Sequence, residues 1–324
     1  AEVNLAVSDL RTSVDYVTVG RKIDLRVTVD NLGQEPVVGA PIELRVEGRC
    51  VARRTLKLEQ REAQPVEFVH RFTTAGDYRV RVQLPPDSLP ADDQRFLVVP
   101  VRTAVRALCV GGQDRSARYV AMALQPDPSQ VRSVTATRIA APVLRQTDLV
   151  PYDAVFMCNV QGVGRTEADL LREHLSRGGG LVFLLGQQTP PALYNRLLVD
   201  VPDDRRVIPA RLIGPVPRGD YRFDPRDYAH PIVRPFQGHE SSGLLTTPLW
   251  RYVQVEPCPT ADVALRFDRG DPAIVEETRD RGRCLLVATP ASDASPDAVT
   301  ADAAAWNAWA IWPSFPPLVI ELLE

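Results

Sequence analysis

The stretch GGGLVFLLG, residues 178–186, decides the fold expected for the second half of the chain. Its five consecutive apolar residues are typical of a strand that is buried on both faces of a sheet. The preceding segment RTEADLLREHLSR, residues 165–177, predicts a helix with Thr166 as its N-cap and Gly178 as its C-cap. The glycines therefore predict a tight turn from a helix into a central strand.

The same alternation of apolar runs and helical segments extends over residues 103–324. VRALCV (105–110) and DAVFMC (153–158) are near-continuous apolar runs, and RSARYVAMAL (115–124) has a helical pattern. Strands that alternate with helices predict an α/β doubly wound, flavodoxin-like domain with a parallel sheet. Residues from about 187 to 250, rich in Pro, Arg and Asp, are expected to form long loop insertions.

Residues 1–102 follow a different period. Ile23, Leu25 and Val27 alternate with polar residues, and similar runs recur between turn sequences. Short alternating strands separated by turns predict an all-β, immunoglobulin-like (Ig-like) sandwich. The expected fold class is thus an all-β Ig-like sandwich, followed by an α/β doubly wound domain over residues 103–324.

Composition narrows the classes of partner. The chain has 324 residues and a formal net charge of -3 at pH 7, so no basic field attracts nucleic acid. It contains no run of about 18 apolar residues, so no membrane-spanning segment is expected within it. The five cysteines form no CxxC pair and show no metal spacing. We therefore predict no metal and no cofactor.

Two known phosphate-binding loops are excluded. The only lysines, Lys22 and Lys57, precede the α/β half, whereas a GxxxxGK[ST] loop needs its lysine beside the phosphates. Gly111 and Gly112 lack the GxGxxG spacing of a dinucleotide-binding turn.

The segments YDAVFMCNVQGV (152–163) and RGGGLVFLLGQQ (177–188) resemble class I glutamine amidotransferase domains. In such domains the second strand ends in a sharp elbow that carries the catalytic cysteine. Here Leu-Leu-Gly-Gln, residues 184–187, takes the matching place and includes no nucleophile. We assign no catalytic residue, because the resemblance implies a fold without its chemistry.

The first half resembles the bacterial Ig-like modules called CARDB. The segments that carry this resemblance are VTVDNLGQEPVVGAPIELRVEGRCVARRTLKL (27–58) and FTTAGDYRVRVQLPPDSLPADDQRFLVVPV (72–101). The NLG turn, the VEG hairpin and the AGDYRVRV strand are the matching features.

The second half also resembles the amidotransferase-like portion of BatA-type bacterial membrane proteins. The matching segments are GGGLVFLLG, YAHPIVRPF (228–236), GDPAIVEE (270–277) and WAIWPSFPPLVIELL (309–323). This resemblance implies a piece of a longer protein, located on the extracytoplasmic (periplasmic) side between membrane anchors. The implied partners are other proteins or other parts of the full-length chain.

The first functional hypothesis is a noncatalytic binding or scaffold module that acts through protein or small-ligand contacts. Ligands of open α/β sheets bind at the carboxyl ends of the strands. By position, the residues expected to line that edge are Gly111, Gly112, Asn159, Gln161, Gly186 and Gln187.

The alternative is an enzyme, a hydrolase or amidotransferase-like protein, with a site in residues 194–240. Its candidate residues are Tyr194, Asp220, Asp224, Asp227, His230, His239 and Glu240. Carboxylates and histidines act as acids and bases or hold a metal, although the same residues also suit a solvated loop. A third hypothesis is carbohydrate or cell-wall contact through exposed aromatic residues such as Trp250, Trp306, Trp309 and Trp312. For the last three, a core or interface role is the competing interpretation.

Overall fold

The computed structural model describes residues 4–14, 17–112, 115–127, 133–292 and 306–323. The chain divides into two compact units, and the boundary falls between Val105 and Arg106. The boundary predicted from the sequence lies between 102 and 103.

The first unit consists of eight strands in two sheets. The strands are β1 (Leu5–Thr12), β2 (Val17–Thr18), β3 (Lys22–Asn31), β4 (Val37–Val46), β5 (Arg49–Leu58), β6 (Ala63–Arg71), β7 (Gly76–Gln83) and β8 (Gln94–Arg102). One sheet has the order β1-β3-β6 and the other the order β2-β8-β7-β4-β5. Leu25 on β3 and Leu44 on β4 belong to one core formed by both sheets, and both side chains are fully buried. The period-two pattern therefore places alternate side chains in the core.

The second unit is built around an eight-stranded sheet. Its elements are β9 (Val105–Gly111), α1 (Ser116–Leu124), β10 (Val134–Ala140), β11 (Ala154–Cys158), α2 (Arg165–Ser176), β12 (Gly180–Leu184), α3 (Pro191–Tyr194), β13 (Ala210–Pro215), β14 (Phe223–Asp224), β15 (Val253–Pro257), β16 (Asp262–Phe267), β17 (Pro272–Arg279), β18 (Gly282–Val287) and α4 (Phe315–Leu323). The strand order is β10-β9-β11-β12-β18-β17-β16-β14, and β13 pairs with β15 separately.

This sheet is mixed, so the predicted fold class, an all-β Ig-like sandwich followed by a doubly wound parallel domain, is wrong. Strands β9, β11, β12 and β18 are parallel neighbours, whereas β14, β16 and β17 pair antiparallel. Only residues 280–281 join β17 to β18, and only residues 268–271 join β16 to β17. A parallel crossover needs a dozen or more residues, so these links permit hairpins only.

Helix α2 begins two residues earlier than expected. Gly164, not Thr166, is its N-cap, and the Glu167 carboxylate accepts a hydrogen bond from the Gly164 amide at 3.1 Å. At the other end Gly178 has a φ of +96°, in the left-handed region that favours glycine. The chain then enters β12, as the glycine run predicts.

The segment from 187 to 250 holds more packed structure than loop insertions would. Helix α3 continues into a π-helical turn, Asn195–Val199, and Tyr194 and Leu198 are buried in the core of the unit. Among the described residues, no helix is long and apolar enough to cross a membrane.

Candidate functional site

The residues predicted to bind a ligand lie at one edge of the sheet, and several of them pack against neighbouring protein atoms there. Asn159 follows β11 with a φ of +48°, and its side chain is almost fully buried. Its Oδ1 accepts a hydrogen bond from the Gln188 amide at 3.0 Å. A Cβ at Gly186 would lie 2.5 Å from that Oδ1, and a Cβ at Gly112 would lie 2.8 Å from Gln188 Oε1. The glycines therefore make room for neighbouring protein atoms.

The remaining three residues of that set have different surroundings. Gly111 is buried, and a Cβ there would meet the Ala117 side chain at 3.0 Å. Gln161 and Gln187 are exposed. The six residues thus share one end of the strands, and two of them, Gln161 and Gln187, are exposed there.

A larger cavity, here called the arginine cleft, opens beside this edge. Its volume is about 860 Å³. It lies between the loop after β11, the first two turns of α2 and the segment that follows α3. The residues that line it are Gly162, Val163, Gly164, Arg165, Ala168, Asp169, Arg172, Leu193, Arg196, Leu197, Val201 and Arg205.

The lining of the arginine cleft is strongly basic, with four arginines against one carboxylate. Arg172 forms an ion pair with Asp169, and Arg205 approaches the same carboxylate at 3.3 Å. Arg172 also donates from Nε to the carbonyl of Arg205 at 2.7 Å. The exposed guanidinium groups of Arg165 and Arg196 form no ion pair with any described residue. The cleft therefore presents uncompensated positive charge.

The floor of the cleft is apolar, and a helix end adds to its positive potential. Val163 and Ala168 are buried, while Leu193 and Leu197 are half-buried beside the open space. Gly164 has no side chain to accept hydrogen bonds from the first amides of α2, and the helix dipole is positive at this end. No local sequence motif marks this site, because its arginines are spread from 165 to 205 in the chain.

A second cavity collects part of the predicted enzyme site. Asp224, Asp227 and His230 line a space of about 350 Å³ together with Asp262. The carboxylates of Asp224 and Asp227 accept backbone amide hydrogen bonds from residues two positions further on, at 2.9 and 3.1 Å. They therefore act as turn-forming side chains.

His230 is held at both ring nitrogens. Nδ1 accepts a hydrogen bond from the Ile232 amide at 3.3 Å, and Nε2 lies 3.4 Å from Oε2 of Glu276. Arg283 binds the Glu276 carboxylate with two nitrogens, at 2.7 and 2.9 Å. Burial lowers the pKa of His230, against the opposing effect of Glu276. Each ring nitrogen of His230 therefore has a neighbouring protein group in this structure.

The other residues of the predicted enzyme site lie apart. The Tyr194 hydroxyl is buried and donates to the Val160 carbonyl at 2.7 Å, and burial raises its pKa. Asp220 forms an ion pair with Arg222 at 2.5 Å, and His239 is exposed. The side chain of Glu240 lies outside the described residues.

The tryptophans contribute mainly to packing. Trp309 is fully buried and makes an edge-on contact with Phe315, at 4.9 Å between ring centroids. Trp250 and Trp306 are also buried, and Trp312 donates from Nε1 to Thr246 at 3.2 Å. These positions suit a core better than an exposed carbohydrate platform.

No protein family and no curated protein matches this chain. Among solved structures, the CARDB domain of PF1109 from Pyrococcus furiosus, in complex with di-metal ions, is 21% identical, with a TM-score of 0.29. The match covers 31% of this chain and 90% of that domain. CARDB domains match the N-terminal part of the chain.

The cytoplasmic protein STM3548 from Salmonella typhimurium is 15% identical with a TM-score of 0.50. That match covers 68% of this chain and 97% of STM3548, and it concerns the fold alone. CARDB domains are thus among the structures similar to the N-terminal part, and the BatA-type and amidotransferase-like parts of the resemblance stay predictions.

Proposed function

We propose that this chain is a noncatalytic binding module whose second unit binds an acidic polypeptide segment in the arginine cleft. The observation that carries the proposal is the lining of that cleft, four arginines against one carboxylate around about 860 Å³.

The chemistry of the cleft favours an anion that also has apolar groups. Guanidinium groups bind carboxylates through two parallel hydrogen bonds, and no carboxylate in the described part of the chain pairs with Arg165 or Arg196. The apolar floor at Val163, Leu193 and Leu197 buries hydrophobic side chains of a ligand. An acidic peptide with interspersed leucines satisfies both requirements.

The experiment is a titration of the full chain into a fluorescein-labelled peptide of alternating Glu and Leu. Fluorescence anisotropy reports binding, and a Lys-Leu peptide of equal length is the reference ligand. We expect the acidic peptide alone to bind, with an affinity that falls as salt screens the charges. The double variant R165A/R196A should lose about tenfold in affinity.

Arg145→Ala is the matched control, since Arg145 is an exposed arginine of the same unit outside the cleft. It should bind the acidic peptide like the unaltered chain. Equal binding of both peptides, or full binding by R165A/R196A, would overturn the proposal.

The state of the cysteines supports a noncatalytic role. Burial raises the pKa of the Cys109 thiol to about 12, and burial also raises the pKa of Cys258 and of Cys284. Because the thiolate is the nucleophile, these thiols are poor candidates for covalent catalysis.

A second candidate function, a hydrolase within residues 194–240, is favoured by the convergence of Asp224, Asp227 and His230 on one cavity. The test is hydrolysis of p-nitrophenyl acetate and p-nitrophenyl phosphate by the full chain and by His230→Gln. Turnover that disappears in His230→Gln supports the hydrolase. Equal background rates with both proteins contradict it.

The extracytoplasmic location is a further part of the proposal and rests on the BatA-type resemblance. Protease treatment of intact spheroplasts that express the full-length protein tests it. Digestion of this region without cell lysis supports the location, and protection until lysis contradicts it.

A further inference from the structure

Three carboxylates of the first unit converge in the segment between β7 and β8. Asp87, Asp92 and Asp93 each place one oxygen within 4.8 Å of the oxygens of the other two. Carboxylates this close repel one another unless a cation or a proton lies between them.

Two carboxylate oxygens of these three residues are hidden from solvent and have no hydrogen-bond partner in the described structure. Asp93 is only 6% exposed, and its Oδ1 receives no hydrogen bond from any described residue. Oδ1 of Asp92 is also buried and also receives no hydrogen bond from any described residue. No described arginine or lysine forms an ion pair with Asp87, Asp92 or Asp93. A buried carboxylate oxygen without compensation is costly, and a bound cation would offset that cost.

Backbone hydrogen bonds fix the positions of these residues. The carbonyl of Asp92 accepts from the Val7 amide at 2.9 Å, and the carbonyl of Asp93 accepts from the Leu84 amide at 2.8 Å. Oδ2 of Asp87 accepts from the Leu5 amide at 2.7 Å. Hydrogen bonds to strand β1 and to the end of β7 thus hold the three aspartates close together in the folded chain. The site is therefore preorganised for a cation.

From these oxygen atoms we infer a calcium site formed by Asp87, Asp92 and Asp93. Calcium accepts six to eight oxygen ligands in an irregular arrangement, and carboxylates, backbone carbonyls and water complete its shell. Magnesium requires a near-ideal octahedral arrangement of ligands and loses its bound water reluctantly. Three aspartates whose positions are fixed by strand hydrogen bonds therefore suit magnesium less well than calcium. Zinc prefers histidine and cysteine, and this group contains neither.

The experiment is isothermal titration of the full chain with CaCl₂ after treatment with EGTA, accompanied by thermal melts. We expect one saturable calcium site and a higher melting temperature of the first unit in calcium. Asp93→Asn and Asp92→Asn should each weaken calcium binding at least about tenfold, since both remove a charged ligand. Asp77→Asn, an exposed aspartate on β7, is the matched control and should bind like the unaltered chain.

Circular dichroism of each variant separates lost binding from lost folding, because Asp93→Asn also relieves repulsion and should fold without calcium. Absence of calcium binding at millimolar concentration would overturn the inference, as would full binding by the folded D92N/D93N protein. Binding of MgCl₂ in preference to CaCl₂ would overturn the choice of metal. None of these outcomes depends on peptide binding in the arginine cleft.

Discussion

The imidazole of His174 on α2 lies directly against Gly179, the second glycine of GGGLVFLLG. A Cβ at residue 179 would overlap the ring atoms Nε2, Cε1 and Cδ2 of His174. Gly178 has a left-handed φ of +96°, whereas a Cβ at Gly180 would meet its nearest atom at an ordinary 3.6 Å. The three glycines therefore have separate roles: a turn, room for a ring and the start of a strand.

We expect Gly179→Ala to destabilise the second unit by about 1–3 kcal/mol, because the new methyl group forces the buried His174 ring or the backbone to move. Gly180→Ala is the matched control and should cost far less. Urea denaturation of both variants measures the difference. Equal stability of the two would show that His174 yields without cost.

The stability of the second unit should fall as the pH drops, in part because of His174. Burial lowers the pKa of this histidine, and its Nε2 has no hydrogen-bond partner among the described residues. The unfolded chain therefore binds the proton more tightly, and stability is lost as the pH falls below the ordinary histidine value of about 6.5.

The measurement is the free energy of unfolding in urea at about pH 7.5 and about pH 5.5, for the chain and for His174→Leu. His174→Leu should show a smaller decrease. Burial also lowers the pKa of His70 and of His230, so the unaltered chain retains other sources of pH dependence. An identical decrease in both proteins would exclude a contribution from His174.

Loss of the Glu277 carboxylate should destabilise the second unit strongly. Its Oε1 accepts hydrogen bonds from Arg206 at 2.9 Å and from Arg279 at 3.1 Å, and both Arg206 and Glu277 are buried. Glu277→Gln removes the buried counter-charge of Arg206 and leaves it only the exposed Asp203 carboxylate, at 3.1 Å, so the expected cost is about 3 kcal/mol. The exposed Asp268→Asn is the control and should change stability by less than about 0.5 kcal/mol. Thermal or urea unfolding measures the stability of both variants. Equal stability of Glu277→Gln and Asp268→Asn would contradict a stabilising role of the Glu277 carboxylate.

Tyr194→Phe should cost about 1 kcal/mol, because it leaves the Val160 carbonyl unpaired in the core. Tyr228→Phe is the control, since the Tyr228 hydroxyl makes no hydrogen bond within the described structure. Both variants should bind the Glu-Leu peptide equally, because neither tyrosine lines the arginine cleft. A large loss of binding in Tyr194→Phe alone would give this residue a direct role in the site.

The sequence predicted single elements better than their arrangement. The apolar runs at 105–110, 153–158 and 181–185 match β9, β11 and β12 to within one residue at each end. The side chains of a strand indicate that it is buried on both faces. They do not indicate whether it runs parallel or antiparallel to its neighbours. The short links 268–271 and 280–281 show that the strands they join are antiparallel, but their length is known only when the strand ends are known.

For the candidate sites, chain order alone predicts which residues follow the strands, and it places Gly112, Asn159 and Gly186 at one edge. Tertiary packing then fills this edge with the buried Asn159 side chain. It alone also brings Arg165 and Arg196 to one cleft, since α2 and the segment after α3 meet through packing between residues distant in the chain. Local patterns are set by neighbours a few residues apart, whereas cavities and charge clusters depend on contacts that no local period encodes.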